Sequence, residues 1–278
     1  MSCPIYESIR LWDLSTGKRI QTFEESNDLI NHVRFLNETQ IVSCSQEGLI
    51  KIWDISSGKC LNILIGHTEE VLHVDLLPNN QLVSCSWDKT IRVWSLETGT
   101  CLKLIKDENK LRFLKAINSD LLLVCSGKLI KLFDLNAGES IRDFIGHEYL
   151  VNCVDELNDE KIASVSNKSI RIWNFQTAEC IHRLEGHSDA INCMITMLDD
   201  TIVTGSSDNT IKLWDWNKGT CIRTLNGHSN FVKSISVISD DRICSGSYDN
   251  TIKIWSLESG ECIQTLEENR PVFCVQIL

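Results

Sequence analysis

The sequence has no long apolar run and no recognisable leader. No stretch approaches the ~20 apolar residues of a membrane-spanning helix. The first ten residues lack the basic flank and apolar core of a signal peptide. These absences argue against a membrane protein and against a secreted one. We therefore expect the chain to work in the cytosol, or also in the nucleus, without contacting a membrane.

The chain has fewer basic residues than acidic ones. Lys and Arg total 27 against 38 Asp and Glu, so the formal net charge is −11. Binding to a phosphate backbone depends on clustered cations. Nucleic acid is therefore not an expected partner.

Cysteine pairs with the spacing of a redox or zinc motif are absent. The 13 cysteines are odd in number and form no Cys-x-x-Cys, which disfavours disulfides and a metal site. Many recur at repeated positions, either opening a strand after a turn or lying within apolar runs. The first group is Cys60, Cys101, Cys180, Cys221 and Cys262, and the second is Cys44, Cys85, Cys125 and Cys244. We interpret most of them as small buried hydrophobic residues in a reducing compartment, and we expect no metal and no cofactor.

What the sequence does contain is a repeat. Seven segments share the pattern of an apolar residue, a basic residue, a second apolar residue and an aromatic anchor, and the anchors are 39 to 41 residues apart. The anchors are Trp12, Trp53, Trp94, Phe133, Trp173, Trp214 and Trp255. This period, with almost no helical periodicity, indicates an all-β fold of seven radially repeated units.

Each unit is predicted to hold four strands. In one unit the alternating apolar runs fall at 71–77, 81–86, 91–96 and 101–105, with turn residues such as Asn79, Asp88 and Gly99 between them. The expected fold is a seven-bladed β-propeller of four-stranded antiparallel blades, forming a single domain over 1–278. The last unit is incomplete, so we expect one blade to be shared between the termini, with Ser2-Cys3 and 272–277 contributing strands.

Several dipeptides carry a resemblance to a known family. Gly-His recurs at Gly66-His67, Gly146-His147, Gly186-His187 and Gly227-His228, and Trp-Asp ends several repeats. In these features the whole chain resembles the WD-repeat family. The resemblance implies a structural hydrogen-bond network of His, Ser or Thr, Asp and Trp in three units. Its members here are His67, Ser84, Asp88 and Trp94; His187, Thr204, Asp208 and Trp214; and His228, Ser245, Asp249 and Trp255.

Three other units depart from this pattern. The Phe133 unit has neither Gly-His nor Trp, the Trp53 unit lacks Gly-His, and the Trp173 unit has a shortened turn with Asn167. We predict that these units are softer than the others.

The Ser, His and Asp trio could also be interpreted as a catalytic triad. It recurs in several units, however, whereas an active site is normally needed once. The sequence has no Gly-x-Ser-x-Gly elbow and no glycine-rich phosphate loop. We therefore predict a structural role for the trio and a protein that is not an enzyme.

Differences between equivalent exposed positions are where a binding surface can be specified. The family resemblance implies a top face made by the residues that flank the start of each inner strand and by the residue before the turn acid. Large aromatic, apolar and basic residues stand out there and are predicted to contact a partner. They are Trp87, Tyr248, Phe231, Phe273, Leu72, Leu29, Arg112 and Lys233. An apolar or basic peptide or loop is the favoured ligand.

The first functional hypothesis is a non-catalytic scaffold, monomeric within larger complexes, that binds other proteins or peptides through this face. The alternative is a substrate-recognition propeller of a ubiquitin ligase that reads phosphopeptides, for which only Arg112 offers a suitable arginine on the face. An enzyme with Glu70 at a channel mouth, and an architectural propeller that uses its rim or bottom, are further alternatives. The partner, the pathway, the binding face and the extent of the natural chain stay open.

Overall fold

The computed structural model describes residues 8–24, 28–158, 160–197 and 201–277. In these ranges the chain forms 26 β-strands and no helix. The strands are arranged in one two-stranded and six four-stranded antiparallel sheets, which we number I to VII in chain order.

The sheets take their strands consecutively from the sequence. Sheet I contains β1 (Ser8–Asp13) and β2 (Lys18–Glu24). Sheet II contains β3 (Ile30–Asn37), β4 (Gln40–Ser45), β5 (Ile50–Asp54) and β6 (Cys60–Leu64). Sheet III contains β7 (Val71–Leu76), β8 (Gln81–Ser86), β9 (Thr90–Ser95) and β10 (Cys101–Lys106). Sheet IV contains β11 (Leu111–Ala116), β12 (Leu121–Ser126), β13 (Leu129–Asp134) and β14 (Glu139–Phe144).

The same order continues to the end of the chain. Sheet V contains β15 (Val151–Asn158), β16 (Lys161–Ser166), β17 (Ser169–Asn174) and β18 (Cys180–Glu185). Sheet VI contains β19 (Ile191–Thr196), β20 (Thr201–Ser206), β21 (Ile211–Asp215) and β22 (Thr220–Leu225). Sheet VII contains β23 (Val232–Ser239), β24 (Arg242–Ser247), β25 (Thr251–Ser256) and β26 (Cys262–Glu267).

The four-stranded antiparallel unit predicted from the sequence is confirmed. The strands of sheet III agree with the predicted bounds to within one residue. In every four-stranded sheet the second strand is buried at all positions but its first, whereas the fourth is largely exposed. Each sheet therefore has an inner side that supplies the core and an outer edge that faces solvent.

Contacts divide the chain into two compact units, with the division at residues 111 and 112. In the first unit, sheets II and III share a core in which Val42, Ile52, Val71 and Leu82 pack with Trp94. In the second unit, three cores repeat the arrangement around Trp173, Trp214 and Trp255. The single domain over 1–278 stays a prediction.

The predicted strand at 272–277 is wrong, because residues 271–277 form no strand. Their backbone groups take other partners: Val272 N–H donates to the Ser247 carbonyl at 2.9 Å, and Val275 N–H donates to Ser234 Oγ at 3.0 Å. The other predicted contributor, Ser2-Cys3, lies outside the described residues. The structure thus shows six complete blades and one two-stranded sheet, and the shared blade stays a prediction.

The interpretation of the cysteines is half wrong. Cys44, Cys85, Cys125 and Cys244 are buried, as expected. The five that open an outer strand are exposed: Cys60, Cys101, Cys180, Cys221 and Cys262. The reason is that the fourth strand of a sheet has solvent on one side, so a recurring position there is not a core position.

Candidate protein-binding surface

The three complete sets of network residues are joined by short hydrogen bonds. In sheet III, His67 Nδ1 lies 2.8 Å from Asp88 Oδ2, and His67 Nε2 lies 2.7 Å from Ser84 Oγ. Trp94 Nε1–H donates to the same hydroxyl at 2.9 Å. In sheet VI the distances from His187 to Asp208, from His187 to Thr204 and from Trp214 to Thr204 are all 2.8 Å. In sheet VII the distances from His228 to Asp249 and to Ser245 are 2.7 Å, and that from Trp255 to Ser245 is 2.8 Å.

This geometry suits a structural role for the trio. Ser84, Thr204 and Ser245 are completely buried, and each hydroxyl is held between a histidine and an indole. A nucleophile must reach its substrate, whereas these oxygens are shielded by the tryptophan that donates to them. The hydrogen bonds instead fix the inner strands of one sheet to the loop that precedes them.

The network also sets the charge state of its acids. Burial opposes ionisation of Asp208, but hydrogen bonds from Thr210 and His187 outweigh it and lower the pKa of this carboxyl to about 2. Burial is the main cause that lowers the pKa of His187, partly offset by the hydrogen bond to Asp208. At neutral pH the pair is therefore a carboxylate that accepts from a neutral imidazole.

Three sheets have a partial network. In sheet V, His147 Nε2 lies 2.7 Å from Ser164 Oγ, and Trp173 Nε1–H donates to that oxygen at 2.8 Å, with no turn acid. In sheet II, Trp53 Nε1–H donates to Ser43 Oγ at 3.0 Å without a histidine. In sheet IV, Phe133 replaces the tryptophan and is buried by packing alone.

The predicted contact positions meet at one edge of each sheet, which we call its top edge. This edge carries the start of the first strand and the turn between the second and third strands. In sheet VII, Tyr248 N–H donates to the Phe231 carbonyl at 2.9 Å, and in sheet III, Trp87 N–H donates to the Glu70 carbonyl at 2.9 Å. The residue before the turn acid is thus hydrogen-bonded to a residue that flanks the first strand.

Three of the predicted aromatic residues form a cluster in the second unit. The ring centroids of Phe231 and Tyr248 are 6.0 Å apart, and those of Tyr248 and Phe273 are 5.0 Å apart in an edge-on arrangement. We call Phe231, Tyr248 and Phe273 the aromatic cluster. Phe231 is 40% exposed, so the cluster presents apolar surface to solvent at the top edge of sheet VII.

Two cations accompany the cluster in the same unit. Lys233 Nζ lies 5.3 Å from the Tyr248 ring centroid and donates to Asn192 Oδ1 at 3.4 Å. Burial is the main cause that lowers the pKa of Lys233, and the charge of Arg112 lowers it further. Arg112 in turn donates to Asn152 Oδ1 at 3.1 Å. Both predicted cations are therefore half-buried and held by asparagine side chains.

The remaining predicted residues lie in the first unit and form a different environment. Lys110 Nζ sits 4.4 Å from the Trp87 ring centroid and 3.0 Å from Glu69 Oε2. Leu72 is half-buried. Leu29 is 38% exposed and its carbonyl accepts from Gln46 N–H at 2.9 Å.

Sequence reasoning missed the role of three asparagines at a repeated position on the first strands. Asn31 Nδ2 donates to the Val71 carbonyl at 3.0 Å, Asn152 to Ile191 at 2.7 Å, and Asn192 to Val232 at 2.9 Å. Each links the first strand of one sheet to the first strand of the next within its unit. A sequence signal was available, because Asn31, Asn152 and Asn192 each occupy the second position of a first strand. Asn152 and Asn192 are one repeat apart, as the anchors are.

Other kinds of site find no support in the part of the chain that the structure describes. No group of three or more His, Cys, Asp or Glu residues there could hold a metal ion. No helix in the described ranges is long and apolar enough to cross a membrane.

The blades and their networks define an all-β propeller with four-stranded antiparallel blades. The family model for the WD domain, G-beta repeat, matches residues 17–54, 58–95, 138–174, 178–215 and 219–256, which is more than half of the chain. The chain therefore belongs to the WD-repeat family, as its Gly-His and Trp-Asp dipeptides predicted. A comparison with curated proteins found no match.

The matched segments are staggered relative to the sheets. The segment 58–95 includes β6, the outer strand of sheet II, followed by β7 to β9 of sheet III. No segment of the family model matches residues 96–137, which contain Phe133, the anchor of the unit that lacks both Gly-His and Trp. Members of this family typically act as protein-interaction scaffolds rather than enzymes.

Proposed function

We propose that the protein is a non-catalytic interaction module that binds an apolar peptide or loop through the aromatic cluster. The observation that carries the proposal is the exposure of Phe231 beside Tyr248 and Phe273. Phe231 is exposed, and Tyr248 and Phe273 beside it are half-buried. They offer a partner a large apolar area with few rotatable bonds.

The cations near the rings narrow the chemistry of the ligand. Lys233 already lies over Tyr248, and Lys110 already lies over Trp87. A partner's Lys or Arg would have to displace these cations before it could reach either ring face. We therefore favour an apolar peptide segment over a basic one as the ligand. Backbone carbonyls of this segment would accept hydrogen bonds from Lys233 and Arg112.

The proposal is tested with a displayed peptide library selected on the wild-type protein. A triple variant, Phe231→Ala with Tyr248→Ala and Phe273→Ala, should bind the selected peptides at least about 100-fold more weakly, since anchoring aromatics each contribute roughly 1–2 kcal/mol. The matched control is Ile65→Ala with Ile145→Ala, which removes side chains that are 75% and 73% exposed elsewhere. Equal loss in both variants, or none in the triple variant, would refute the assignment.

A phosphopeptide receptor of the ubiquitin-ligase type is a second candidate. The favouring observation is that Arg112 and Lys233 are close enough for the charge of Arg112 to lower the pKa of Lys233. Two neighbouring cations could share one phosphoryl group. If this function is the right one, selected peptides gain affinity on phosphorylation, and Arg112→Gln removes the gain without weakening the unphosphorylated forms.

We also propose that the chain closes into a seven-bladed ring. Support comes from the seven anchors at a common spacing and from the family model, whose segments each join the outer strand of one sheet to three strands of the next. Sheet I has two of the four strands of a blade, and Ser2-Cys3 stays the predicted source of a third, whereas 271–277 form no strand. Deleting 1–7 should lower the melting temperature of the whole chain in a single transition, whereas an unchanged transition would argue against closure.

The proposed interaction role extends to the oligomeric state and the cellular compartment of the protein. We propose a monomer that acts inside larger complexes in the cytosol or nucleus, where its exposed thiols stay reduced. Light scattering should give the mass of one 31.6 kDa chain. A dimer mass that persists in reducing buffer would contradict the monomer.

A further inference from the structure

One sheet has lost the acid of its network because its turn is shorter. In sheets III and VII three residues separate the second and third strands, and the middle one is Asp. In sheet VI the equivalent three, 207–209, lie between Ser206 and Thr210, which are joined by a backbone hydrogen bond, and the middle one is again Asp. In sheet V, Ser166 pairs directly with Ser169, and only Asn167 and Lys168 lie between them. A two-residue turn has no position from which a carboxylate could reach the histidine.

The missing carboxylate has a defined set of donors in the other sheets. Asp208 lies 2.8 Å from His187 Nδ1 and accepts from Ser188 N–H at 2.9 Å. It also accepts from Thr210 N–H at 3.0 Å and from the Thr210 hydroxyl at 2.7 Å. One carboxylate thus serves four donors.

The corresponding donors are retained in sheet V. His147 keeps its place, since its Nε2 lies 2.7 Å from Ser164 Oγ and its ring is 5.7 Å from that of Trp173. Glu148 N–H follows it as Ser188 N–H follows His187, and Ser169 stands at the position of Thr210. No carboxylate lies on His147 Nδ1 in the described part of the chain.

A cavity of about 50 Å³ occupies this place. Its walls include His147, Ser169, Arg171 and Arg183, together with two acidic residues, Glu148 and Glu185. A water molecule needs roughly 10–15 Å³ by this measure. The cavity therefore has room for a group of three or four heavy atoms, such as a carboxylate.

The charges around the cavity differ from those in the related sheets. Arg171 and Arg183 are direct cross-strand partners. The equivalent lysines in sheets VI and VII, Lys212 and Lys253, each donate to a threonine across the strand, at 2.8 and 3.0 Å. Like charges placed opposite each other are destabilising in a sheet, so the arginine pair needs an anion to balance it.

The neighbouring charged groups balance the charge of the arginine pair only in part. Glu185, which is itself exposed, lies 2.6 Å from Arg183, and Lys168 donates to the Ser188 carbonyl. Arg171 donates to Cys180 Sγ at 3.5 Å. Burial, followed by the charges of Arg171 and Arg183, lowers the pKa of His147 to about 3.

We propose that this cavity binds a carboxylate of a protein partner, which takes the position that Asp208 holds in sheet VI. The bound group accepts from His147 Nδ1–H and from Glu148 N–H. It also accepts from the Ser169 hydroxyl, which must turn away from the Ser166 carbonyl to which it donates at 3.4 Å. Arg171 and Arg183 balance its charge. A carboxylate is favoured over a phosphoryl group because carboxylates satisfy the same three kinds of donor in sheets III, VI and VII.

The test follows the ¹⁵N resonances of the His147 ring while sodium acetate replaces sodium chloride at constant ionic strength. We expect a saturable shift in the millimolar range, toward the form with a proton on Nδ1. Inorganic phosphate is the second arm. Stronger binding of phosphate than of acetate, or no saturable shift with acetate, would overturn the proposal.

Two variants probe the site itself. Arg183→Thr installs the residue type found at the equivalent position in sheets VI and VII, Thr224 and Thr265, and should weaken acetate binding about fivefold. Replacing Asn167-Lys168 with the Ser-Asp-Asn turn of residues 207–209 should place an internal carboxylate in the cavity and abolish binding. The control turn Ser-Asn-Asn lacks the charge and should not block binding in this way. Equal effects of the two turns would contradict the proposal.

Discussion

Replacement of one turn acid should destabilise the protein far more than its position in a turn suggests. Asp249 receives four hydrogen bonds: from His228 Nδ1 at 2.7 Å, Ser229 N–H at 3.0 Å, Thr251 N–H at 2.9 Å and the Thr251 hydroxyl at 2.6 Å. Its side chain is only 4% exposed, and that of His228 is fully buried. The acid thus ties the loop before sheet VII to the turn within it.

The magnitude follows from which donors can find water in an Asp249→Ala variant. The Thr251 groups are part-buried at the protein surface and can be hydrated at small cost. His228 Nδ1–H is enclosed, and an unsatisfied buried donor costs about 1–3 kcal/mol. With the loss of a bond to a charged acceptor added, we expect a decrease of about 3 kcal/mol in the free energy of unfolding.

The amide variant separates charge from shape. Asp249→Asn keeps one acceptor oxygen, so one pair of donors faces an NH₂ group, and we expect about half of the loss in the alanine variant. The matched control is Asp54→Ala, since Asp54 also accepts from turn residues, Ser56 and Ser57, but at exposed positions. It should cost much less than Asp249→Ala, because the donors left behind can be hydrated.

Equilibrium urea unfolding, followed by tryptophan fluorescence, measures all three variants against wild type at pH 7. The slope with urea should be unchanged, so that the midpoints report stability. A loss below about 1 kcal/mol for Asp249→Ala, or a loss equal to that of Asp54→Ala, would refute the view that the buried network stabilises the blade.

Three further predictions concern other parts of the chain. Amide hydrogen exchange should be faster in β12 and β13, whose sheet lacks both histidine and tryptophan, than in β20 and β21; uniform protection would contradict this. Gly205→Ala should lower stability by about 1–3 kcal/mol, because an added Cβ would lie 2.6 Å from Val232 Cγ1 and 2.7 Å from Cys193 Sγ, so a neutral result in thermal unfolding would be unexpected. The folded state keeps His147 neutral down to a pKa of about 3, while the unfolded chain binds a proton below about 6.5; stability should therefore rise with pH across this window, and His147→Gln should flatten the slope in urea unfolding at pH 4 to 7.

The strands and turns could be predicted from the sequence because they depend on local patterns. Alternating apolar residues specify which side of a strand is buried, and residues such as Asn209 and Asn250, both at positive φ in the structure, occupy turn positions that favour them. The fixed spacing of the anchors then gives the number of units. Family resemblance added the identity of the network residues, which are far apart in the sequence.

Features that depend on where strands lie in a sheet and on contacts between distant segments could not be predicted in this way. The exposure of Cys101 or Cys221 follows from the position of the fourth strand at a sheet edge. Occupation of the Trp87 ring by Lys110 depends on a loop 23 residues further along the chain. The pairing of Arg171 with Arg183 depends on the register of β17 and β18, including its shift at Trp173.

The shortened turn in sheet V was visible in the sequence, yet by itself it indicated only a weaker blade. Its meaning changes once the rest of the network is located. In sheet II, where the sequence has no histidine at this position, the indole of Trp53 donates to Ser43 without one. Since His147 remains, with Ser164 on one nitrogen, the other nitrogen can take a further partner at the cavity. The arginine pair beside it implies that this partner is negatively charged, and a two-residue turn cannot supply it from within the blade.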